Sequence, residues 1–217
     1  MYNTLMVDPP WQYDDRAASK GGSTGGQYPT MRMEELRSMW WWVDDLANTP
    51  AWMWMWTTNS FMEEALWLAK QWGFDQKTIL TWVKTKRPIS KNLFTGYKEI
   101  APMKGTGHYL LNGTEHCLVC TRGAGASGMR KRFDTPTVVF GPITGRHSEK
   151  PQYLYDFVQE VSPGPYLDIF TRRIIPEWDG WGRDYPKKGA GPICPSGKIW
   201  TYDDCRIDDA DGNILED

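Results

Sequence analysis

An α/β fold with a mostly parallel sheet follows from three observations on this sequence. Apolar runs of strand length alternate with amphipathic stretches of helix length. Two of the helical stretches end on Gly73 and on Pro163-Gly164 breakers. The first apolar run closes on Asp8-Pro9-Pro10-Trp11, and the carboxyl end of a strand is where such sheets present their ligands.

Residues 4–8 form a buried strand, Thr4-Leu5-Met6-Val7 ending on Asp8. Residues 12–30 are rich in Gly and Ser and form a loop. The apolar spacing from Met33 to Leu46 predicts one helix, and Ala51 to Thr57 a strand. Alternation along that strand puts Trp52, Trp54 and Trp56 on one face. Ser60 and Glu63 have the spacing of a capping box opening a helix that runs through Gln71 and closes at Gly73. Thr78 to Lys84 is a strand, followed by a long Gly- and Pro-containing stretch over 85–113. A connection that long inside a compact domain usually carries function. Glu115 to Thr121 and Thr137 to Phe140 are strands, and Lys150 to Val161 is a helix with Pro151 in its first turn. Pro163-Gly164 breaks it before a last strand, Tyr166 to Phe170. From Pro186 the pattern dissolves, so we place a folded domain at 1–185 and a polar acidic tail at 186–217.

Composition bounds the function. The chain has 217 residues, enough for a full core in one domain, with 40% hydrophobic and 24% charged residues. Met1-Tyr2-Asn3-Thr4 lacks the basic and apolar regions of a signal peptide, and four cysteines do not make a disulfide framework at this size. No run approaches a membrane span, so a cytoplasmic protein without a membrane partner is expected. The formal charge of −2 conceals an asymmetry: residues 203–217 carry seven acids against Arg206, a net −6, which leaves +4 elsewhere. Lys84, Lys86, Arg87, Lys91, Lys98 and Lys104 cluster in one stretch with Glu99 the sole acid, and Arg130-Lys131-Arg132 form a second basic cluster. Basic loops on a near-neutral body suit a phosphate backbone.

The motifs differ in weight. Gly123 to Gly128 matches a dinucleotide fingerprint in spacing, but Met129-Arg130-Lys131-Arg132 is not the amphipathic helix the fingerprint needs. Gly21 to Gly26 lacks the Lys-Ser/Thr ending of a phosphate loop. Cys117 and Cys120 fall on opposite strand faces, which argues against a shared zinc. Asp8, the Pro9 carbonyl and Trp11 are stronger: an acid, an aimed carbonyl beside Pro10 and an aromatic plate suit a nucleobase held by its exocyclic amine.

Taken together, several segments resemble the adenine-amino methyltransferases with an Asp-Pro-Pro-Trp motif. That family includes the eukaryotic writers of messenger-RNA methyladenosine and bacterial and phage DNA methyltransferases. The segments are Asp8 to Trp11, Thr57-Thr58-Asn59, Trp72-Gly73-Phe74, Trp82-Val83-Lys84, Gly105 to Tyr109, Glu115 to Val119, His147 to Pro151, Leu167 to Arg172 and Trp178 to Gly182. The family more often has Glu where Asp168 stands, and Gly or Ala where Thr171 stands. The resemblance implies a Rossmann-like, S-adenosylmethionine-dependent fold in permuted order, with the catalytic motif before the cofactor strand. It implies methylation of the adenine amine in DNA, in a protein of bacterial or phage origin. The same reaction on RNA, or a non-catalytic nucleic-acid-binding partner subunit, are the alternatives. The catalytic set it implies is Asp8, Pro9, Pro10 and Trp11, with no metal. The cofactor set is Asp8, Ser148, Lys150, Asp168, Phe170, Arg172, Arg183 and Asp184. Candidate substrate contacts are Trp11, Tyr28, Lys84, Lys86, Arg87, His108, Glu115, Arg130, Lys131 and Arg132. A chain without a separate target-recognition domain suggests a short motif or a partner subunit, and the expected partners besides DNA or RNA are a second copy of the chain or such a subunit.

Overall fold

The computed structural model describes residues 1–12, 30–86, 102–105, 109–123, 136–143 and 149–182. Among these residues, seven strands form one sheet in the order β5-β3-β4-β2-β1-β6-β7. They are β1 (Tyr2–Val7), β2 (Ala47–Thr57), β3 (Asp75–Thr85), β4 (Thr114–Arg122), β5 (Val138–Pro142), β6 (Tyr166–Ile169) and β7 (Trp178–Trp181). β1 pairs in parallel with β2 and β6, β3 with β5, and β6 with β7. Among the described strands only β4 runs antiparallel, between β2 and β3. This is the mostly parallel, Rossmann-like sheet the sequence predicts, with Asp8 preceding the β6 strand in the chain.

The helices are α1 (Met33–Ser38), α2 (Trp40–Leu46), α3 (Met62–Gln71) and α4 (Gln152–Val161). Strand alternation sorts the core into two layers. Met53 and Met55 of β2 pack with Leu36, Trp42, Leu68 and Trp72 from α1 to α3 and the turn after α3. Trp52, Trp54 and Trp56 face the other way, against Leu154, Tyr155, Val158 and Val161 of α4. The three alternating indoles therefore do share one face. Cys117 and Cys120 go to opposite layers, as their spacing requires.

Four readings need correction. The helix over Met33 to Leu46 is two helices that turn at Met39. The Ser38 hydroxyl donates to the Glu35 carbonyl at 2.9 Å and competes with the helical ladder there. The capping box at Ser60 and Glu63 does not form: Asn59–Phe61 is a 3₁₀ turn, and Phe61 caps α3 without a side-chain bond. The Thr57 hydroxyl holds the Phe61 carbonyl at 3.0 Å, and Trp11 stacks on the Phe61 ring at 5.5 Å, which together fix a corner there. Pro151 is the N-cap of α4 and lies outside its first turn, so Lys150 precedes the helix. β7 was not expected at all; the Phe170 N–H donates to the Trp181 carbonyl at 2.6 Å and secures it on β6. Closure of α3 at Gly73 is as read: its φ of +79° is the left-handed region that favours glycine. The proposed tail at 186–217 lies outside the described residues.

Candidate active site

From β1 the chain crosses to β2 on one side, and from β6 it continues to β7 on the other. The gap between the carboxyl ends of β1 and β6 is thus a topological switch point, where open α/β sheets hold ligands. Asp8 stands on this gap, its N–H donating to the Ile169 carbonyl at 3.3 Å. Pro9 and Pro10 are buried behind it. The Pro9 carbonyl is not wholly open, because it accepts the Trp11 N–H at 2.9 Å. A carbonyl has a second lone pair, and that one is left for a ligand. Trp11 is only 5% exposed. Its indole donates to the Trp56 carbonyl at 3.3 Å and its ring lies on Phe61, so it is a wall of the site and not an open plate.

Four charges link in a row on the α4 side of the sheet. The Lys150 ammonium donates to Asp8 Oδ2 at 2.6 Å and lies 3.3 Å from Glu115 Oε2. The Lys84 ammonium bonds the other oxygen, Glu115 Oε1. Lys150 also sits over the Trp56 ring at 5.3 Å, and Lys84 over Trp82 at 5.3 Å. The register builds this chain. Trp82 pairs with Glu115, and Lys84 is two residues further along β3 on the same face. Burial pushes the Glu115 carboxyl up, but Lys150 and Lys84 outweigh it and hold the group below the usual carboxylate range. Burial likewise pushes the Lys150 ammonium down, and Asp8 and Glu115 outweigh it and raise it. Glu115 and Lys150 are therefore both charged at neutral pH.

Asp168 sits beside this row, paired in register with Met6 on β1 and Gly180 on β7. It is 1% exposed. The Tyr155 hydroxyl donates to its Oδ2 at 2.8 Å, and the Thr171 side chain also hydrogen-bonds it. Burial pushes the Asp168 carboxyl up to about 7, against the partial relief of those two bonds. Phe170, at φ +70°, packs its ring on Trp181 and ends β6. Arg172 is half-buried just beyond. Its neighbour Arg173 pairs with Glu149 at 3.0 Å, covers the Tyr155 ring at 5.5 Å and donates to the Lys150 carbonyl at 3.3 Å.

Asp168 makes a pH prediction. A carboxyl raised from its unfolded value of 3.8 to about 7 binds more protons folded than unfolded across that interval. Stability therefore falls as pH rises through the interval and levels off above it. Asp168→Asn should remove this slope and raise the melting temperature at pH 8 relative to wild type, read in a thermal-melt series from pH 5 to 8. A slope unchanged by the substitution would show that Asp168 does not titrate there.

The structure thus brings together Asp8, Pro9, Pro10, Trp11, Lys84, Glu115, Lys150 and Asp168, places Phe170 and Arg172 just past the end of β6, and leaves Lys86 exposed near the end of β3. Tyr28, Arg87, His108, Arg130, Lys131, Arg132, Ser148, Arg183 and Asp184 lie outside the described residues. Sequence reasoning missed Tyr155 and Arg173, whose spacing on and near α4 reads only as core and surface. It also missed a polar group on the opposite side of β4's start. There His116 Nε2 meets Asn59 Oδ1 at 2.5 Å, its Nδ1 meets the Thr81 hydroxyl at 3.1 Å, and Asn59 Nδ2 donates to Asn112 Oδ1 at 3.2 Å. Burial lowers the His116 pKa against the opposing pull of Glu115, so the ring is neutral at pH 7.

The family model MT-A70 matches residues 2–184. The Type II methyltransferase M.MunI of Mycoplasma sp is 26% identical over 208 residues, covering 85% of this chain and 78% of that protein. The N(6)-adenosine-methyltransferase subunit METTL3 of Danio rerio is 26% identical over 180 residues, covering 82% of this chain and 27% of its own length. The N(6)-adenosine-methyltransferase MT-A70-like protein of Drosophila melanogaster is 28% identical, with 82% and 26% covered. The chain therefore spans about a quarter of the two animal relatives. No helix among the described residues is long and apolar enough to cross a membrane.

Proposed function

The chain belongs to the MT-A70 family, and on that premise we propose that it methylates the exocyclic amine of adenine in DNA with S-adenosylmethionine as donor. The observation that carries this reading is Asp8 at the switch point, bonded to a buried lysine at 2.6 Å and backed by a carbonyl with a free lone pair. DNA is our reading because the match extends over 78% of a Type II methyltransferase but only 27% of the adenosine methyltransferase subunit.

The donor set fits such a cofactor. Asp168, Phe170 and Arg172 at the end of β6 offer an acid, an aromatic ring and a guanidinium to a purine nucleoside. Lys150 offers a cation to a carboxylate, and Asp8 places negative charge beside a sulfonium. When bound, S-adenosylmethionine supplies an electrophilic methyl group. The protein's own work is on the amine. Its lone pair is delocalised into the purine ring and is a poor nucleophile. Asp8 and the Pro9 carbonyl accept the two amine hydrogens, which pyramidalises the nitrogen and localises the lone pair. As the nitrogen gains its fourth substituent, Asp8 is positioned to take the proton it sheds. Lys150 fixes Asp8 in place, and that orientation supplies much of the acceleration. Asp168 and Tyr155 shape the floor beneath the nucleoside end. In a duplex, the adenine must first leave the stack, at a cost of about a few kcal/mol.

Incubation of the full chain with tritiated S-adenosylmethionine and, in parallel, DNA and RNA tests the reading. Label is expected in DNA and, after digestion, in N6-methyladenosine of the deoxy series. Label confined to RNA, or on another nucleoside, would overturn it.

A further inference from the structure

Three exposed apolar side chains lie beside the acidic and basic row. Tyr109 is 106% exposed, Leu110 80% and Leu111 62%. Large apolar groups clustered at an exposed tip mark an interaction site more often than chance. Their base is tightly held. The Gly105 N–H donates to the Asn112 carbonyl at 2.7 Å, and the Lys84 N–H to the Gly113 carbonyl at 2.9 Å. A Cβ on Gly105 would lie 2.7 Å from the Asn112 carbonyl, and one on Gly113 would lie 2.9 Å from that of Met103. Neither site admits a side chain, so the two arms close against each other. Asn112 is tied again, through Asn59. Tyr109 holds a left-handed backbone at φ +60°, unusual for a non-glycine residue.

The position of this tip decides what it meets. The arm carrying Lys104 hydrogen-bonds the Lys84 carbonyl at 2.8 Å through Met103, and the Lys84 ammonium bonds Glu115 in the row that reaches Asp8. The base of this apolar cluster therefore adjoins the rim of the candidate active site. It is accompanied by Lys86 and Lys104, both exposed, and no acid lies among the described residues from 102 to 113. Three side chains are too few for a stable protein interface, which buries about 800 Å² per partner. Apolar side chains presented with cations are the combination that proteins insert between base steps.

We propose that Tyr109, Leu110 and Leu111 are a wedge that enters duplex DNA beside the target adenine and occupies the space the base leaves. This rests on the reading of the protein as a DNA adenine methyltransferase. The wedge is needed only where a base must be extracted from a pair, which gives it a signature that the methyl-transfer machinery lacks.

The test compares the full chain with the variants L110S/L111S and Leu110→Ser on three substrates of one sequence. These are a matched duplex, the target strand alone, and a duplex with an abasic site opposite the target adenine. The double variant should lose about tenfold or more in kcat/KM on the matched duplex, because unpairing costs a few kcal/mol. It should stay within about twofold of wild type on the two substrates whose adenine is already unpaired. The single variant should show the same pattern more weakly. Equal loss on all three substrates, or no loss on any, would overturn the wedge. So would a change in oligomeric state by light scattering, which would assign the tip to a second copy of the chain. A wild-type protein that methylates none of the three would instead overturn the functional reading on which the wedge stands.

Discussion

Asp8→Ala should reduce methyl transfer by about 10²-fold or more, the usual loss when a charge that stabilises the transition state is removed. Its side chain is 21% exposed, and its Oδ2 accepts from Lys150 at 2.6 Å. Glu115 remains beside Lys150 in that variant, so the ammonium keeps one anionic partner. The fold should therefore survive, with a small change in melting temperature. Asp8→Asn makes the sharper test. It keeps the shape and one acceptor oxygen, but it cannot take a proton and it presents an N–H toward the lysine or the amine. If Asp8 acts by accepting, Asp8→Asn should be nearly as inactive as Asp8→Ala in single-turnover transfer. Equilibrium binding of S-adenosylmethionine by calorimetry should change much less than the rate. Near-full turnover by either variant would sink the assignment of Asp8 to the amine.

What the sequence made visible was local. Strands show because apolar runs and alternation survive without context, so Thr4 to Val7 and the Trp52-Trp54-Trp56 face fall where expected. β7 was hidden because Trp178-Asp179-Gly180-Trp181 carries a Gly and an Asp, and only pairing with β6 makes it a strand. The reversal of β4 has no local signal, since an antiparallel strand buried on both faces reads like a parallel one. The helix break at Met39 and the absent capping box arise from contacts made in the fold, at Ser38 and at Phe61. The site was legible as separate motifs, each with its own expected role. Lys150 reads as a cofactor contact and Glu115 as a substrate contact, yet the structure joins both to Asp8 and Lys84 in one buried row. Lys150 and Asp8 are 142 positions apart, so no spacing rule could have paired them. Trp11 was legible as a residue of the site but not as a covered one, because its cover is Phe61, which comes from the corner after β2.

That buried row predicts a second large effect. Lys150 is 4% exposed, and Lys150→Met keeps its length and its contact with Trp56 but withdraws the charge shared by Asp8 and Glu115. Removing one partner of a buried pair typically costs about 3–5 kcal/mol, because the charge left behind is desolvated and uncompensated. Glu115 is 13% exposed and would keep only Lys84. The acid side of the stability curve should flatten. In the wild type, the Glu115 carboxyl is held below its ordinary 4.5, so its contribution is present above that value and lost as pH falls through the folded pKa. Without Lys150, only Lys84 is left to oppose burial, so the carboxyl should rise from its wild-type position and less stability should be lost as pH falls. Replacing Glu115 with a neutral side chain of the same shape removes the stranded charge. The double variant Lys150→Met with Glu115→Gln should therefore recover much of the lost stability in urea denaturation, a coupling that a double-mutant cycle reads directly. It should not recover methyl transfer, because Asp8 still lacks the ammonium that orients it. A double variant no more stable than Lys150→Met alone would show that Glu115 is not the charge left uncompensated. Recovery of both stability and turnover would show that the row serves the fold alone and that Asp8 needs no lysine to act.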